Sequence, residues 1–111
     1  MTDAVIVFVT VPSRDTGERL ADALVSEQLA ACVNIVGPIR SIYRWQGEIC
    51  RDDEHLLLIK TTRPRYAALE ARVQELHPYD VPEIIAVAVE AGSAVYLEWV
   101  RGLCTEKPNL P

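Results

Sequence analysis

Apolar and polar positions change their spacing along the chain, and each change marks a new element. Residues 4–10 form a β-rich apolar run without clean alternation, which is typical of a strand buried on both faces. Apolar residues then recur at helical spacing, which predicts a helix ending near residue 28. Asp15 or Thr16 is the expected N-cap of this helix. The apolar residues at this spacing are Leu20, Ala23 and Leu24, and the polar Gln28 continues the spacing.

Residues 31–62 predict one long β-hairpin that turns at Gln46 and Gly47, where glycine can adopt positive φ. Pro38 cannot donate to a strand ladder, so Gly37-Pro38 indicates a bulge on an edge strand. Two arms of about 14 residues span roughly 40 Å. A 111-residue domain has a radius of gyration of only about 13 Å. We therefore expect the hairpin tip to overhang its own domain.

The second half of the chain predicts a helix, a strand and a short final helix. The first of these helices starts after Thr62, and its buried stripe consists of Tyr66, Leu69, Val73 and Leu76. Residues 83–89 form an apolar fourth strand. Ser93 is the expected N-cap of the short helix, and Gly102 is the expected residue beyond its end. Residues 105–111 contain two prolines and no periodicity, which indicates a loose tail.

The resulting order is βαββαβ with an appended helix, and it predicts an α+β ferredoxin-like sandwich in a single domain, residues 1–111. Right-handed crossovers place the first and third strands at the centre of the sheet. Those two strands are the continuously apolar ones. Two helices can cover only one face of such a sheet, so the apolar second face predicts a covering partner. We expect that partner to be another copy of the chain.

Composition narrows the class of function. The net charge of −5 disfavours nucleic acid and anionic membranes as partners, because both attract basic surfaces. The opening apolar run is too short to span a bilayer, and the three cysteines have no paired spacing, which favours reduced thiols in a cytoplasmic protein. The sequence contains no phosphate-binding loop, nucleophile elbow or zinc-protease motif, so we expect no enzyme activity.

Four ordered blocks of sequence carry a family resemblance. They are LAACVNI from residue 29, SIYRWQGEI from residue 41, IKT from residue 59 and HPYDVPEI from residue 77. Together they resemble the divalent-cation tolerance protein CutA family over about residues 5–99. The resemblance implies a ferredoxin-like fold similar to that of PII signalling proteins. It also implies a homotrimer in which the long hairpins join the sheets of neighbouring subunits.

The resemblance further implies a role in tolerance to divalent metals, copper especially, through metal binding. The bacterial copper assignment uses a cysteine at the end of the first strand and two successive histidines before Pro-Tyr. This chain has Val9 and Leu76 at two of these positions and keeps His77. His77 is therefore the candidate metal ligand. The alternative is a helix-end histidine that bonds to a carbonyl group or to a neighbouring subunit.

A cleft between subunits is a second candidate site. Its expected residues are Tyr43, Trp45, Glu48, Lys60 and Glu83, all of which fall in or beside the family's motifs. In this alternative, the protein is a PII-like signalling or scaffold trimer that binds a small anionic metabolite. His55 follows three acidic residues, 52–54, and forms with them either a surface cation site or a solvated, irregular edge of the hairpin.

Overall fold

The computed structural model describes residues 2–105 and has an α+β fold. The expected tail, residues 105–111, lies outside the described residues except for its first position. Strands and helices follow in the order β1 (Ala4–Val11), α1 (Arg14–Ser26), β2 (Cys32–Trp45), β3 (Glu48–Thr62), α2 (Arg63–Leu76), β4 (Ile84–Ala88) and α3 (Ala94–Leu103). The predicted βαββαβ order and the appended helix are confirmed.

The four strands form one antiparallel sheet in the order β2-β3-β1-β4. The two central strands are those predicted from their continuous apolar character. Residues at odd positions of β1 point into the core: Val5, Val7, Val9 and Val11 are all buried. Even-numbered neighbours such as Ile6 and Phe8 point to the other face and are only partly buried. Strand alternation therefore gives the sheet two apolar faces.

Helices α1 and α2 cover the first face. Their leucines and valines join the odd-numbered strand residues in one core, to which the helices contribute Leu20, Leu24, Leu69 and Val73. Arg72 of α2 reaches Glu27 beside α1 with a bidentate pair of hydrogen bonds at 3.0 Å each. Leu76 was expected in the buried stripe but is 39% exposed at the last position of α2.

The start of α1 and the end of α3 differ from the predicted positions. Ser13, not Asp15 or Thr16, is the N-cap of α1, and its hydroxyl accepts from the Thr16 backbone N–H at 3.2 Å. Gly102 lies inside α3, which ends at Leu103. A side-chain cap does begin α1, although several neighbouring residues could have supplied it, whereas Gly102 is not a cap, because α3 continues past it to its C-cap Cys104.

The hairpin extends far beyond the helix-covered part of the sheet. Its pairing runs from Cys32–Lys60 to Trp45–Glu48, with a register shift between Val36 and Ile39 at the expected bulge. Gln46 and Gly47 form the turn with φ of 51° and 82°. The longest dimension of the described chain is 50 Å, so the tip overhangs as predicted.

The second face of the sheet is open along most of its length. The apolar residues on it are Ile6, Phe8, Val36, Leu56, Leu58, Ile85 and Val87. Ile85 and Val87 are 52% and 45% exposed. Helix α3 packs at one end of the sheet, where Val100 and Cys104 form a small cluster with Ala31.

Candidate functional site

His77 is the C-cap residue of α2, and both of its ring nitrogens have partners within the chain. Nδ1 accepts a hydrogen bond from the Tyr79 backbone N–H at 3.1 Å. Nε2 lies 2.7 Å from the carbonyl oxygen of Thr10, so Nε2 carries the proton and donates. The side chain is only 7% exposed, and its ring lies 4.7 Å from that of Tyr79. Within one chain, His77 is therefore a helix-end histidine that bonds to a carbonyl group, as in the second of the two alternatives.

The two other positions of the family's copper motif contribute no donor atoms. Val9 is fully buried in the core beneath the helices. Leu76 ends α2 as a partly exposed apolar side chain. Within residues 2–105, no three His, Cys, Asp or Glu side chains form a group that could hold a metal ion.

A cleft of about 640 Å³ lies between the hairpin and the loop that joins α2 to β4. A volume of this size is in the range of small-molecule sites. The hairpin contributes Ser41, Ile42, Tyr43, Trp45 and Glu54, and β1 contributes Thr10. The loop contributes Pro78, Tyr79, Asp80, Val81 and Glu83. Among these lining residues of the described chain there is no lysine or arginine, so the cleft is acidic and aromatic.

Two tyrosine–carboxylate hydrogen bonds organise this acidic surface. The Tyr79 hydroxyl donates to the Glu54 carboxylate at 2.8 Å, and Glu54 is 7% exposed. The Tyr43 hydroxyl donates to Asp52 on the paired strand. Burial, reinforced by the bond to Glu54, raises the pKa of Tyr79 well above its usual range. The hydrogen bond to Asp52 raises the pKa of Tyr43 to about 12. Both phenols therefore remain protonated donors at neutral pH.

The structure brings together three of the five predicted cleft residues. Tyr43, Trp45 and Glu83 line the cleft, whereas Glu48 is paired opposite Trp45 at the hairpin tip. Lys60 lies six residues beyond Glu54 on β3, roughly 20 Å away along the strand. Its Nζ is 3.8 Å from the sulfur of Cys32.

Sequence reasoning missed Glu54 and Tyr79, the two most closely coupled residues of the cleft. They are 25 residues apart in the chain, and Glu54 lies in the segment for which a surface cation site or a solvated edge was expected. The strand pairing across residues 51–54 is also regular, contrary to expectation. The irregularity lies at the bulge, where Gly37 and Pro38 of β2 lie opposite the single residue His55 of β3.

His55 does not join the acidic residues in a cation site. It lies beside the bulge, where a Cβ added to Gly37 would be 2.8 Å from the ring atom Cδ2. Asp53 instead pairs with Arg40 across the two arms at 3.0 Å. The three cysteines Cys32, Cys50 and Cys104 are free thiols.

The fold and the cleft together define the class of this protein. The chain is an α+β sandwich of ferredoxin-like topology, with an elongated hairpin and an acidic, aromatic cleft between that hairpin and the α2–β4 loop. No helix within residues 2–105 combines the length and the apolar character needed to cross a bilayer.

Comparison with known proteins identifies the family. The sequence model described as "CutA1 divalent ion tolerance protein" matches residues 5–102. The divalent-cation tolerance protein CutA of Thermus thermophilus is 53% identical over 96 residues, covering 86% of this chain and 93% of that protein. The chloroplastic protein CutA 1 of Oryza sativa is 47% identical over 103 residues, covering 93% of this chain and 58% of the rice protein. The chain belongs to the CutA1 divalent ion tolerance protein family.

Solved structures agree with this assignment. The divalent cation tolerance protein of Thermus thermophilus superimposes with a TM-score of 0.90 at 50% identity, covering 92% of this chain and 99% of that one. CutA from Xylella fastidiosa superimposes with a TM-score of 0.92 at 40% identity, covering 94% of this chain and all of that one (100%). The predicted family and fold class are thus confirmed.

Proposed function

We propose that this protein acts in tolerance to divalent cations by binding them, as a homotrimer in the cytoplasm and without catalytic activity. The observation that carries this proposal is the family match over residues 5–102. The free state of all three thiols suits a reducing compartment.

The open face of the sheet supports the assembly. Ile85 and Val87 are about half exposed on a face that continues across Phe8 and Leu58 in the central strands. Exposed apolar surface on this scale is uncommon in a monomer and is typical of protein interfaces. A subunit packed against this face would also support the overhanging hairpin.

The proposed metal is copper, and two places in the chain offer it donor atoms, although neither forms a metal-binding group within residues 2–105. His77 could ligate only by giving up its bond from the Tyr79 N–H or its bond to Thr10. The carboxylates of Glu54, Asp80 and Glu83 line the acidic cleft. Copper(II) prefers sites that combine imidazole nitrogen and oxygen donors. In the trimer, donors from more than one subunit could combine around one ion.

Calorimetric titration of the intact protein with Cu(II) tests the proposal. We expect binding by the wild type, with weaker binding by His77→Gln if the imidazole ligates and by Glu83→Gln if the cleft does. Asp15→Asn on the outer surface of α1 is the matched control for a lost carboxylate. Absence of Cu(II) binding by the wild type would contradict the metal-binding role, and a monomeric mass by light scattering would contradict the trimer.

A small-ligand role for the cleft is the second candidate, favoured by its volume and by the Trp45 and Tyr43 side chains. The lining carboxylates repel anions, so within one chain the cleft suits a cation better than the anionic metabolite first considered. A thermal-shift screen of anionic and cationic metabolites separates the two. Stabilisation by anions alone would restore the signalling alternative.

A further inference from the structure

Cys32, Lys60 and Tyr96 form a polar cluster where α3 meets the edge of the sheet. Strand pairing places Cys32 of the edge strand β2 directly opposite Lys60 of β3. The Lys60 ammonium donates to the Cys32 sulfur at 3.8 Å, and the thiol donates to the side-chain oxygen of Asn34 at 3.9 Å. The sulfur is therefore oriented, with its proton directed to an amide and a lone pair directed to a cation.

The Lys60 ammonium has a sulfur partner where a carboxylate would be usual. Its side chain is half-buried, and among residues 2–105 no acidic group pairs with it. A cation that is partly removed from water favours negative charge on its neighbours. The Cys32 sulfur is the neighbour on which this ammonium acts.

Tyr96 brings a second donor to the cluster from α3. Burial, reinforced by the neighbouring Cys32 sulfur, raises the pKa of Tyr96, so the phenol stays protonated near neutral pH. Its ring also packs against Trp99, with the ring centroids 5.5 Å apart. A half-buried thiol beside a cation and a hydroxyl has the electropositive, partly exposed surroundings that are typical of reactive cysteines.

The other two thiols of the chain have different surroundings. Cys50 has similar burial, but it lies on the same face of β3 as Asp52 and Glu54. Cys104 is 5% exposed, and burial raises its pKa. Neighbouring carboxylates and burial both disfavour negative charge on sulfur. The chain therefore contains two internal references for Cys32.

We propose that Cys32 is a site of reversible oxidation by hydroperoxides, with Lys60 and Tyr96 as its positioning residues. The sulfur attacks the terminal peroxide oxygen, so a sulfur–oxygen bond forms as the oxygen–oxygen bond breaks. Sulfur is oxidised by two electrons to a sulfenic acid, the peroxide is reduced to an alcohol or water, and the thiol proton ends on the leaving oxygen. A low-molecular-weight thiol condenses with the sulfenic acid to give a disulfide and water, and a second equivalent restores Cys32.

The two donors assist the oxidation at the leaving oxygen. Negative charge develops there as the oxygen–oxygen bond breaks, and the Lys60 ammonium and the Tyr96 hydroxyl stabilise it. This site lies apart from the cleft and from His77, so it does not depend on the proposed metal binding.

Peptide mapping by mass spectrometry tests this site in the intact protein. Hydrogen peroxide is added with dimedone, which traps sulfenic acids, and with a chelator that prevents metal-catalysed oxidation. We expect Cys32 to be trapped about tenfold or more faster than Cys50, with Cys104 slower still. Lys60→Met should bring the Cys32 rate close to that of Cys50, whereas Lys60→Arg keeps the cation and should retain most of the wild-type rate.

Two tyrosine variants examine the second donor. Tyr96→Phe should give a Cys32 rate between those of the wild type and Lys60→Met. Tyr66→Phe is the matched control, because it removes a hydroxyl that bonds within α2, and it should leave the rate unchanged. Trapping of Cys50 in each variant shows whether an effect is local, and circular dichroism shows that each variant is folded.

The wild-type comparison decides the proposal without any variant. Equal trapping of Cys32 and Cys50 would overturn it. A faster Cys32 that a folded Lys60→Met variant leaves unchanged would overturn the role of the ammonium. Neither result would affect the proposed metal binding, which the Cu(II) titration measures.

Discussion

The imidazole Nε2 of His77 donates a hydrogen bond to the Thr10 carbonyl oxygen at 2.7 Å, and this bond joins the end of α2 to the end of β1. The same ring accepts from the Tyr79 backbone N–H, which fixes the start of the loop that lines the cleft. The histidine that the family resemblance marks as a metal ligand therefore also has a structural role in this chain. Stability and metal affinity must be measured separately when it is replaced.

Replacement of His77 by alanine should lower the free energy of unfolding by about 1–3 kcal/mol, because the Thr10 carbonyl and the Tyr79 N–H lose a buried partner. His77→Gln places an amide where Nε2 lies and should keep more of the stability, since it can still donate to Thr10. Urea unfolding followed by circular dichroism measures both. Equal stability of His77→Ala and the wild type would contradict the structural role.

The Tyr79–Glu54 bond predicts a change in stability at alkaline pH. The pKa of Tyr79 is raised on folding, so the folded state holds the phenol proton more tightly than the unfolded state. This contribution is complete below the usual tyrosine pKa of about 10 and is lost as the pH rises through the raised value. The wild type should exceed Tyr79→Phe in stability by about 1–2 kcal/mol near pH 7. The difference should shrink above about pH 10.

Phenolate absorbance gives the control for this prediction. Glu54→Gln keeps an acceptor but removes the charge, so the pKa of Tyr79 should fall towards its usual range without returning to it, because burial is the larger cause of the shift. Tyr43→Phe should remove a separate titration near the raised pKa of about 12. A pH-independent difference between the wild type and Tyr79→Phe would show that the bond does not favour the protonated phenol.

The sheet and hairpin could be predicted because their signals are local. Two apolar runs identified the central strands, and the Gln46-Gly47 pair identified the turn. Helix ends were less certain, because Ser13, Asp15 and Thr16 are all good capping residues within one turn. Only the three-dimensional path of the chain from β1 selects among them.

The cleft was harder to predict, because its central contact joins Glu54 of β3 to Tyr79 of a loop. Neither residue has a local pattern that indicates burial. Acidic residues at 52–54 are typical of a solvated edge, yet Glu54 is 7% exposed because the α2–β4 loop folds over it. Lys60 also lies in one of the family's motifs, but its distance from Glu54 along β3 separates it from this cleft. Its place in a cleft between subunits stays a prediction.

Gly37→Ala should destabilise the hairpin at the bulge. An added Cβ would lie 2.8 Å from the His55 ring, and Gly37 has φ of 155°, a region that L side chains rarely adopt. We expect a loss of about 1–3 kcal/mol in the free energy of unfolding. Gly102→Ala is the matched control: it lies in α3 with nothing within 4 Å of its added Cβ, and it should gain about 0.5–1 kcal/mol. A neutral Gly37→Ala would contradict the close approach of His55.

The hairpin turn predicts a stabilising substitution that leaves the residues of both strands unchanged. Gln46 has φ of 51° and Gly47 has φ of 82°, so both central residues of the turn are in the left-handed region, as in a type I′ turn. Asparagine tolerates this region better than glutamine, so Gln46→Asn should raise the free energy of unfolding by about 0.5 kcal/mol. Gln46→Val, which is β-branched, should lower it by about 1–2 kcal/mol. Thermal unfolding monitored by circular dichroism ranks the three proteins, and a valine variant as stable as the wild type would show that the turn adopts another conformation.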